Sequence, residues 1–445
     1  MEIFIYEGIR IEGAFSLQTL LEFTMDVEPN CHARAVIKGI FADAEALQRW
    51  QYVGDTHEVR IYLEKDKKIL FCGVLNRVEW KCEAGVCQGE LHVISASAAL
   101  DVGKEAVSFQ NVEMTYEEIL NKAFETVPGS VCNCVVGKSE GPGVPLIQYR
   151  ETDWEFALRL ASILNTVIYP EPCVATPYIW FGIPEGNVTV KPTTSQYIHG
   201  LSEKYYELAG TVTGVSKDAF EYYQVETREN YEVGVMAEYA GITWRILEKH
   251  VRLSKGELLY RYLLGHESLV MTTKQCHGLF AGMSILGKVI HVEDECVRLH
   301  LDIDKEQDVS TAYPYKWVPD TGSVMYCMPE LDSTVALYFP NEDESGAIVV
   351  SCVRHNSDTC PAIAETEKRV LTTAEGKRMY INPDEVGFDI SKQEHCMKLV
   401  DESGISLGSG KKVSITAIQG VEVKAKVVVL ETPQEINLMR GQLMK

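Results

Sequence analysis

The chain has 445 residues, of which 46% are hydrophobic and 24% charged, with a formal net charge of -22. That length carries roughly two to four domains, and the acidic excess disfavours a nucleic-acid backbone or an anionic bilayer as the main partner, because no basic block offsets it. Thirteen cysteines, an odd number, fit free thiols in a reducing compartment better than a disulfide framework.

The first residues carry no basic, signal-like segment, and no run approaches the roughly 18 apolar residues of a membrane span. Cytoplasmic synthesis without a signal peptide is therefore the expectation. In chain order, residues 58–64 alternate and are followed across a charged turn by residues 68–75, a hairpin that continues through Val78 and Trp80 and returns at residues 90–95. This spacing predicts a first small β-barrel over 1–105, with a short helical insert near 43–50. Thr115 and Glu118 form a capping box opening a helix through Ile119, Leu120, Ala123 and Phe124, stopped by Pro128 and Gly129. A second capping box, Thr152 with Glu155, opens a stronger helix. Its apolar face carries Trp154, Ala157, Leu158, Ala161 and Leu164, with Trp154, Leu158 and Ala161 as core anchors. Residues 177–182 and 188–190 resume the alternation and complete a second barrel within 106–240. Residues 241–282 are a connecting segment, in which 256–265 fits strand or helix by periodicity.

Residues 283–355 predict an OB-type barrel: strands at 287–302, 312–318, 325–331, 334–339 and 346–353 crowd into one short region. Asp302 and Asp304 alternate with apolar neighbours there and are expected to face water. From 356 to 445 the composition changes to short runs punctuated by Gly404, Gly408, Gly410 and Gly420. Val421, Val423, Ala425, Val427 and Val429 alternate with Glu422, Lys424 and Lys426, the period of a strand with one buried face. Such strands enclose no core alone and need copies of themselves, in a solenoid or across chains. Ile405, Leu407, Val413, Ile415, Val421, Val423, Val427 and Val429 are the candidate residues for a trimer core.

Chemistry-bearing motifs are sparse. The sequence holds no nucleophile elbow, phosphate loop or zinc-protease motif. Cys132 with Cys134, and Cys82 with Cys87, lack a second pair at zinc-ribbon spacing. Cys276 adjoins His277 only in sequence. No catalytic residue, metal site or cofactor is expected. Tyr313, Tyr315, Trp317 and Tyr326 could offer an OB face for stacking a glycan or nucleic acid, but ten carboxylates between Asp302 and Glu344 oppose a polyanion, and core or interface roles fit these aromatics better.

The order of these parts resembles a known family. The segment LIQYRETDWEFALRL at 146–160, the Gly287–Val289 and Val297–Asp302 pair, Trp317 with Val318, and Met328–Val335 are similar to elements of the VgrG-like hub-and-spike proteins of contractile injection systems. These occur in type VI secretion, phage tails, tailocins and extracellular injection particles. Residues 373–376 and 401–405 resemble the start of that family's triple-stranded spike, although Asp332 and Thr334 depart from its usual glycine and glutamate. The resemblance implies a mainly β fold with a few helices: two hub β-barrels, an OB-fold barrel and a trimeric β-helical or β-prism spike over 356–445. It implies a homotrimer with no enzymatic activity, matched to a hexameric tube protein and baseplate proteins. A PAAR-like tip protein would sit at the C-terminal end near Met439 and Gly441, effector cargo would be carried, and a target membrane would be met only on puncture. No effector domain is expected after the tail. An OB-fold glycan or nucleic-acid binding protein and a tail-associated cell-wall hydrolase are the alternatives.

Overall fold

The computed structural model describes residues 8–13, 17–41, 58–64, 67–83, 86–186, 188–194, 196–208, 216–319, 327–353, 364–373, 375–390, 394–434 and 436. The helical insert expected near 43–50, Tyr326 and residues 439–441 lie outside them. The chain divides into two units, Met1–Val353 and Arg354–Lys445. Within both, the described chain is mostly strand with three short α-helices, the mainly β class that the sequence indicates.

The first unit is organised by one large sheet. Six strands come from the N-terminal part: β1 (Ile9–Glu12), β2 (Leu17–Val27), β3 (Arg34–Phe41), β4 (Glu58–Leu63), β5 (Ile69–Glu83) and β6 (Val86–Ser95). They order as β2-β3-β6-β5-β4-β1. Alternation drives their burial: β3 reads exposed–buried throughout, with Ala35, Ile37 and Phe41 inward. The next elements, β7 (Glu105–Phe109), α1 (Tyr116–Ala123), β8 (Val131–Cys134), β9 (Leu146–Glu151), α2 (Asp153–Ile163), β10 (Ile168–Pro170) and β11 (Tyr178–Phe181), form a separate layer. There β7 pairs β9, and β10-β11-β8 makes a small sheet over the two helices.

A second set then enters the large sheet: β12 (Thr189–Val190), β13 (Tyr197–Leu201), α3 (Lys204–Leu208), β14 (Glu221–Thr227), β15 (Met236–Tyr239), β16 (Ile242–Ser254) and β17 (Glu257–Gly265). Its order, β13-β14-β17-β16-β15-β12, repeats that of the first six strands one for one. The repeat extends to detail. The β5–β6 ladder slips at Leu75/Arg77 and closes at Glu83↔Val86; the β16–β17 ladder slips at Ile246/Glu248 and closes at Ser254↔Glu257. The modules differ in their outermost strands, β1 running antiparallel to β4 and β12 parallel to β15, and in the register shifts of the β2–β3 and β4–β5 ladders, which β13–β14 and β15–β16 lack. The two modules join edge to edge through β2 and β16, with Val27 opposite Lys249, Asp26 opposite His250, Met25 opposite Val251 and Thr24 opposite Arg252. One hydrophobic core, from Phe23 and Phe71 to Tyr262 and Leu264, serves both. Residues 241–282, read from sequence as a connection, therefore supply the β16–β17 hairpin at the centre of this sheet.

The OB-type barrel follows as β18 (Ser284–Glu293), β19 (Cys296–Leu301), β20 (Pro314–Lys316), β21 (Thr334–Tyr338) and β22 (Ile348–Val353), ordered β20-β19-β18-β21-β22. Of the strand expected at 325–331, residues 327–331 are described and hold none. The positive φ of Asp332 and its amide bond to the Val289 carbonyl shape a turn there instead.

In the second unit, β23 (Arg369–Thr372), β24 (Arg378–Ile381), β25 (Glu385–Ile390), β26 (His395–Val400) and β27 (Gly404–Ser409) form one antiparallel meander in sequence order. Beyond it, residues 411–434 hold no strand, although Val421–Val429 alternate; among the described residues the alternation finds no ladder partner. A strand needs a neighbour to satisfy its backbone, and the described residues offer none here.

One pairing departs from the sequence reading. Cys82 and Cys87 are bonded as a disulfide near the β5–β6 tip, while the ten other described cysteines are free. The hairpin register sets these two residues opposite each other with Cα atoms 4.1 Å apart, within bonding reach.

Candidate functional site

Two arrangements stand out, one in each unit. The first is a buried ion cluster that locks α2 to the OB-type barrel. Thr152 caps α2 with its side chain accepting from the Glu155 amide, and Glu155 returns a bond to the Thr152 amide, so both ends of the capping box are closed. The helix is buried on nearly every side: Trp154, Phe156, Ala157, Leu160 and Ala161 are all in the core. Of the three anchors read from sequence, Trp154 and Ala161 are buried and Leu158 is only half-buried, since Phe156 and Leu160 occupy a second face.

On that second face Arg159 is buried. Its Nε and Nη2 donate to the two oxygens of Glu151 at 2.8 and 2.9 Å, its Nη1 donates to both oxygens of Glu344 at 3.1 and 2.9 Å, and Nη2 also donates to the Ile147 carbonyl at 2.8 Å. The guanidinium's fork of donors is thus engaged on β9 and on the OB loop at once. Burial acts to lower the Arg159 pKa, but Glu344 and Glu151 outweigh it and hold the charge. Burial pushes Glu344 upward, opposed by Arg159. His277 completes the shell: Nε2 donates to the Tyr149 carbonyl at 2.7 Å, and Nδ1 accepts from the Leu279 amide at 3.2 Å. Its ring is committed to backbone, while Cys276 beside it is exposed.

A second joint lies nearby. Asp304, expected in water, instead accepts from the Ser108 amide at 2.7 Å and from its hydroxyl, fixing the barrel to β7. Burial raises its pKa against those bonds. Asp302 is exposed as expected. Tyr315 is sunk in the barrel core and Trp317 packs against that core, donating to the Cys327 carbonyl at 2.9 Å, so neither ring is free to stack on a ligand. Cys132 and Cys134 are both buried, with sulfurs 3.7 Å apart. Among the described residues no three metal-ligating side chains converge, and no helix is long and apolar enough to cross a membrane.

The second arrangement is a sheet with its apolar face open. Cross-strand register puts Leu371, Met379, Phe388, Met397 and Leu407 in one row, and Ile381, Val386, Leu399 and Ile405 in the next row of the same face. The opposite face carries Tyr380, Lys398, Ser406 and the ion pair of Arg378 with Asp389. Burial is inverted relative to polarity. Gly387 and Asp389 are buried while Phe388 and Ile390 between and beyond them are exposed. The tip of the Tyr380 ring lies over Gly387, 2.5 Å from where a Cβ would sit, so a side chain there would displace that ring. Ile405 is 71% exposed and Leu407 58%, and the tail candidates Val413, Ile415, Val421, Val423, Val427 and Val429 are exposed to a similar degree. A sheet hides its apolar face or aggregates through it. Sequence reasoning reached the tail but missed Arg159, Glu344 and the rows at 371–399; a lone basic residue, between Phe156 and Leu160 on a helix whose only other charges are first-turn acids, was the available signal.

No family model matches the chain, and no curated protein matches it. Solved structures do. A type VI secretion component of E. coli, described as structurally similar to the phage T4 tail proteins gp27 and gp5, matches with a TM-score of 0.55 at 13% identity, over 78% of this chain and 99% of that one. The VgrG-containing PdpA complex of Francisella in its half-lidded form matches with a TM-score of 0.54 at 7% identity, over 90% of this chain and 87% of that one. Its lidless form gives 0.51 at 7% identity, over 90% and 97%. The chain has the fold of the VgrG-like hubs.

Proposed function

We propose that the chain is the structural hub-and-spike subunit of a contractile injection system, acting as a rigid homotrimer that joins the inner tube to the puncturing tip. The observation that carries this is the exposed apolar face of the β23–β27 meander, continued by an alternating tail without a ladder partner among the described residues. Three copies placing those faces around one axis would bury them together, and each inward Val, Ile or Leu would then contribute about 1.5–3 kcal/mol. An intertwined prism leaves no strand edge open to peel under a compressive thrust. The paired modules of the first unit support the same reading, since two per chain and three chains make six, the symmetry of a hexameric tube protein. Buried ion pairs at Arg159 suit a part that must transmit force without hinging, because the fork admits few geometries. On this reading the role is mechanical and not enzymatic. Baseplate proteins would surround the hub, a PAAR-like tip protein would close the far end, effector cargo would travel with it, and the target membrane would be touched only at puncture.

The test is solution mass by light scattering on the full chain and on a chain stopped at Asn356. A mass near three times 49.9 kDa that falls toward monomer on truncation is expected. A monomeric full chain would overturn the trimer.

A further inference from the structure

The internal repeat assigns an interface between copies. Rung by rung, the β5–β6 hairpin corresponds to β16–β17, with Leu75 matching Ile246, Arg77 matching Glu248 and Glu83 matching Ser254. Likewise β13 on β14 corresponds to β2 on β3: Tyr197 faces Val225 as Phe23 faces Ile37. Inside the chain, β2 is seated against β16. Its counterparts are not seated. The strand β13 ends the large sheet, and among the described residues it has a ladder only on its β14 side. The strand β4 covers β5 only from Ile69 to Val74, so among the described residues the stretch from Leu75 to Glu83 has no ladder on that side.

We infer that β13 of one copy adds antiparallel to the bare outer half of β5 of the next copy, reproducing the β2–β16 junction between chains. This rests on the reading of the chain as a ring-forming subunit and specifies its register. Transferring the internal pairing sets Leu201 opposite the second copy's Val78, Gly200 opposite Glu79, His199 opposite Trp80 and Ile198 opposite Lys81. The side chains suit these positions. Trp80 is 36% exposed and Ile198 59% exposed, costly apolar area on bare edges of a soluble sheet. His199 already stacks on Tyr223 at 4.3 Å, 8° from parallel, and the Trp80 indole would extend that stack. Gly200 opposite Glu79 removes any carboxylate clash. The contact is head-to-tail, so it closes only as a ring. The Cys82–Cys87 disulfide sits at the free hairpin end, where the seated counterpart carries Leu253 and Leu258.

Cross-linking of the full chain decides this. Trp80→Cys with His199→Cys, and Lys81→Cys with Ile198→Cys, sample two successive rungs, one of which has the closer, non-hydrogen-bonded spacing. Mild oxidation of one of these double variants should convert the single-chain band into a ladder of two and three chains, absent from the wild type with its own exposed cysteines. Trp80→Cys and His199→Cys on separate co-expressed chains should give dimers, and neither alone should. Trp80→Cys with Ile198→Cys, which point to opposite faces, should give none. A trimeric mass with neither in-register pair cross-linking would overturn this register while leaving the trimer intact. A monomeric mass would overturn both, and cross-linking by Trp80→Cys alone would replace the head-to-tail contact with a two-fold one.

Discussion

The two units of the chain handle polarity in opposite ways. In the first, apolar residues fill cores and the buried charges are paired within the chain, as Arg159 is with Glu151 and Glu344. In the second, the meander buries Gly387 and Asp389 and leaves Phe388, Met397 and Leu399 open. The first unit thus carries its own cores. The second leaves an apolar face uncovered, and on the proposed trimer its stability would belong to the assembly rather than to one chain.

That contrast can be broken from either side. The largest effect is expected from Phe388→Asp with Leu399→Asp on the open face. Three carboxylate pairs forced to one axis should abolish the trimer in light scattering, while the main thermal transition of the first unit stays in place. If the trimer persists, the open face is not the one that associates. Next comes Arg159→Ala. It leaves Glu151 and Glu344 buried without their partner, and the loss expected for breaking a buried pair is about 3–5 kcal/mol. Chemical denaturation should show it in the first unit's transition, with no change in the concentration at which trimers form. A loss under about 1 kcal/mol would mean that water reaches the cluster.

The smallest effect concerns the seam between the modules. His250 on β16 lies 2.8 Å from Asp26 on β2, with Glu248 at 3.4 Å and Glu28 at 3.9 Å. Bonds to Asp26 and Glu248 outweigh burial and raise its pKa from 6.5 to about 9. A histidine raised on folding stabilises fully below its unfolded pKa, and that contribution is lost as pH climbs through the folded one. The seam should therefore weaken between pH 6.5 and about 9. Because Asp26 is half exposed, the change should be on the order of 1–2 kcal/mol. His250→Gln should flatten stability across that window. An unchanged slope would remove His250 from the seam.

Much of the fold was legible in the residues. Both capping boxes form as Thr115 with Glu118 and Thr152 with Glu155 indicate, because they are local and need only the next turn of chain. The OB strands at 284–301 and 334–353 follow their alternation. The internal repeat was not legible. Across the hairpins, residues 72–83 and 86–95 share no identical residue with 243–254 and 257–266. What they share is a bulge position and a rung count, which only the ladders reveal.

The sequence by itself determined the mainly β class, both capped helices and the presence of an apolar alternation in the tail. Those depend on neighbours one to four residues away. Tertiary structure alone decided the rest: that Arg159 is buried between two carboxylates far apart in sequence, that Asp304 is bonded to Ser108, that Cys82 meets Cys87, and which face of the meander is apolar. Charge pairing and strand register are relations between distant segments. A side chain's polarity does not state what it will face until the ladders are set.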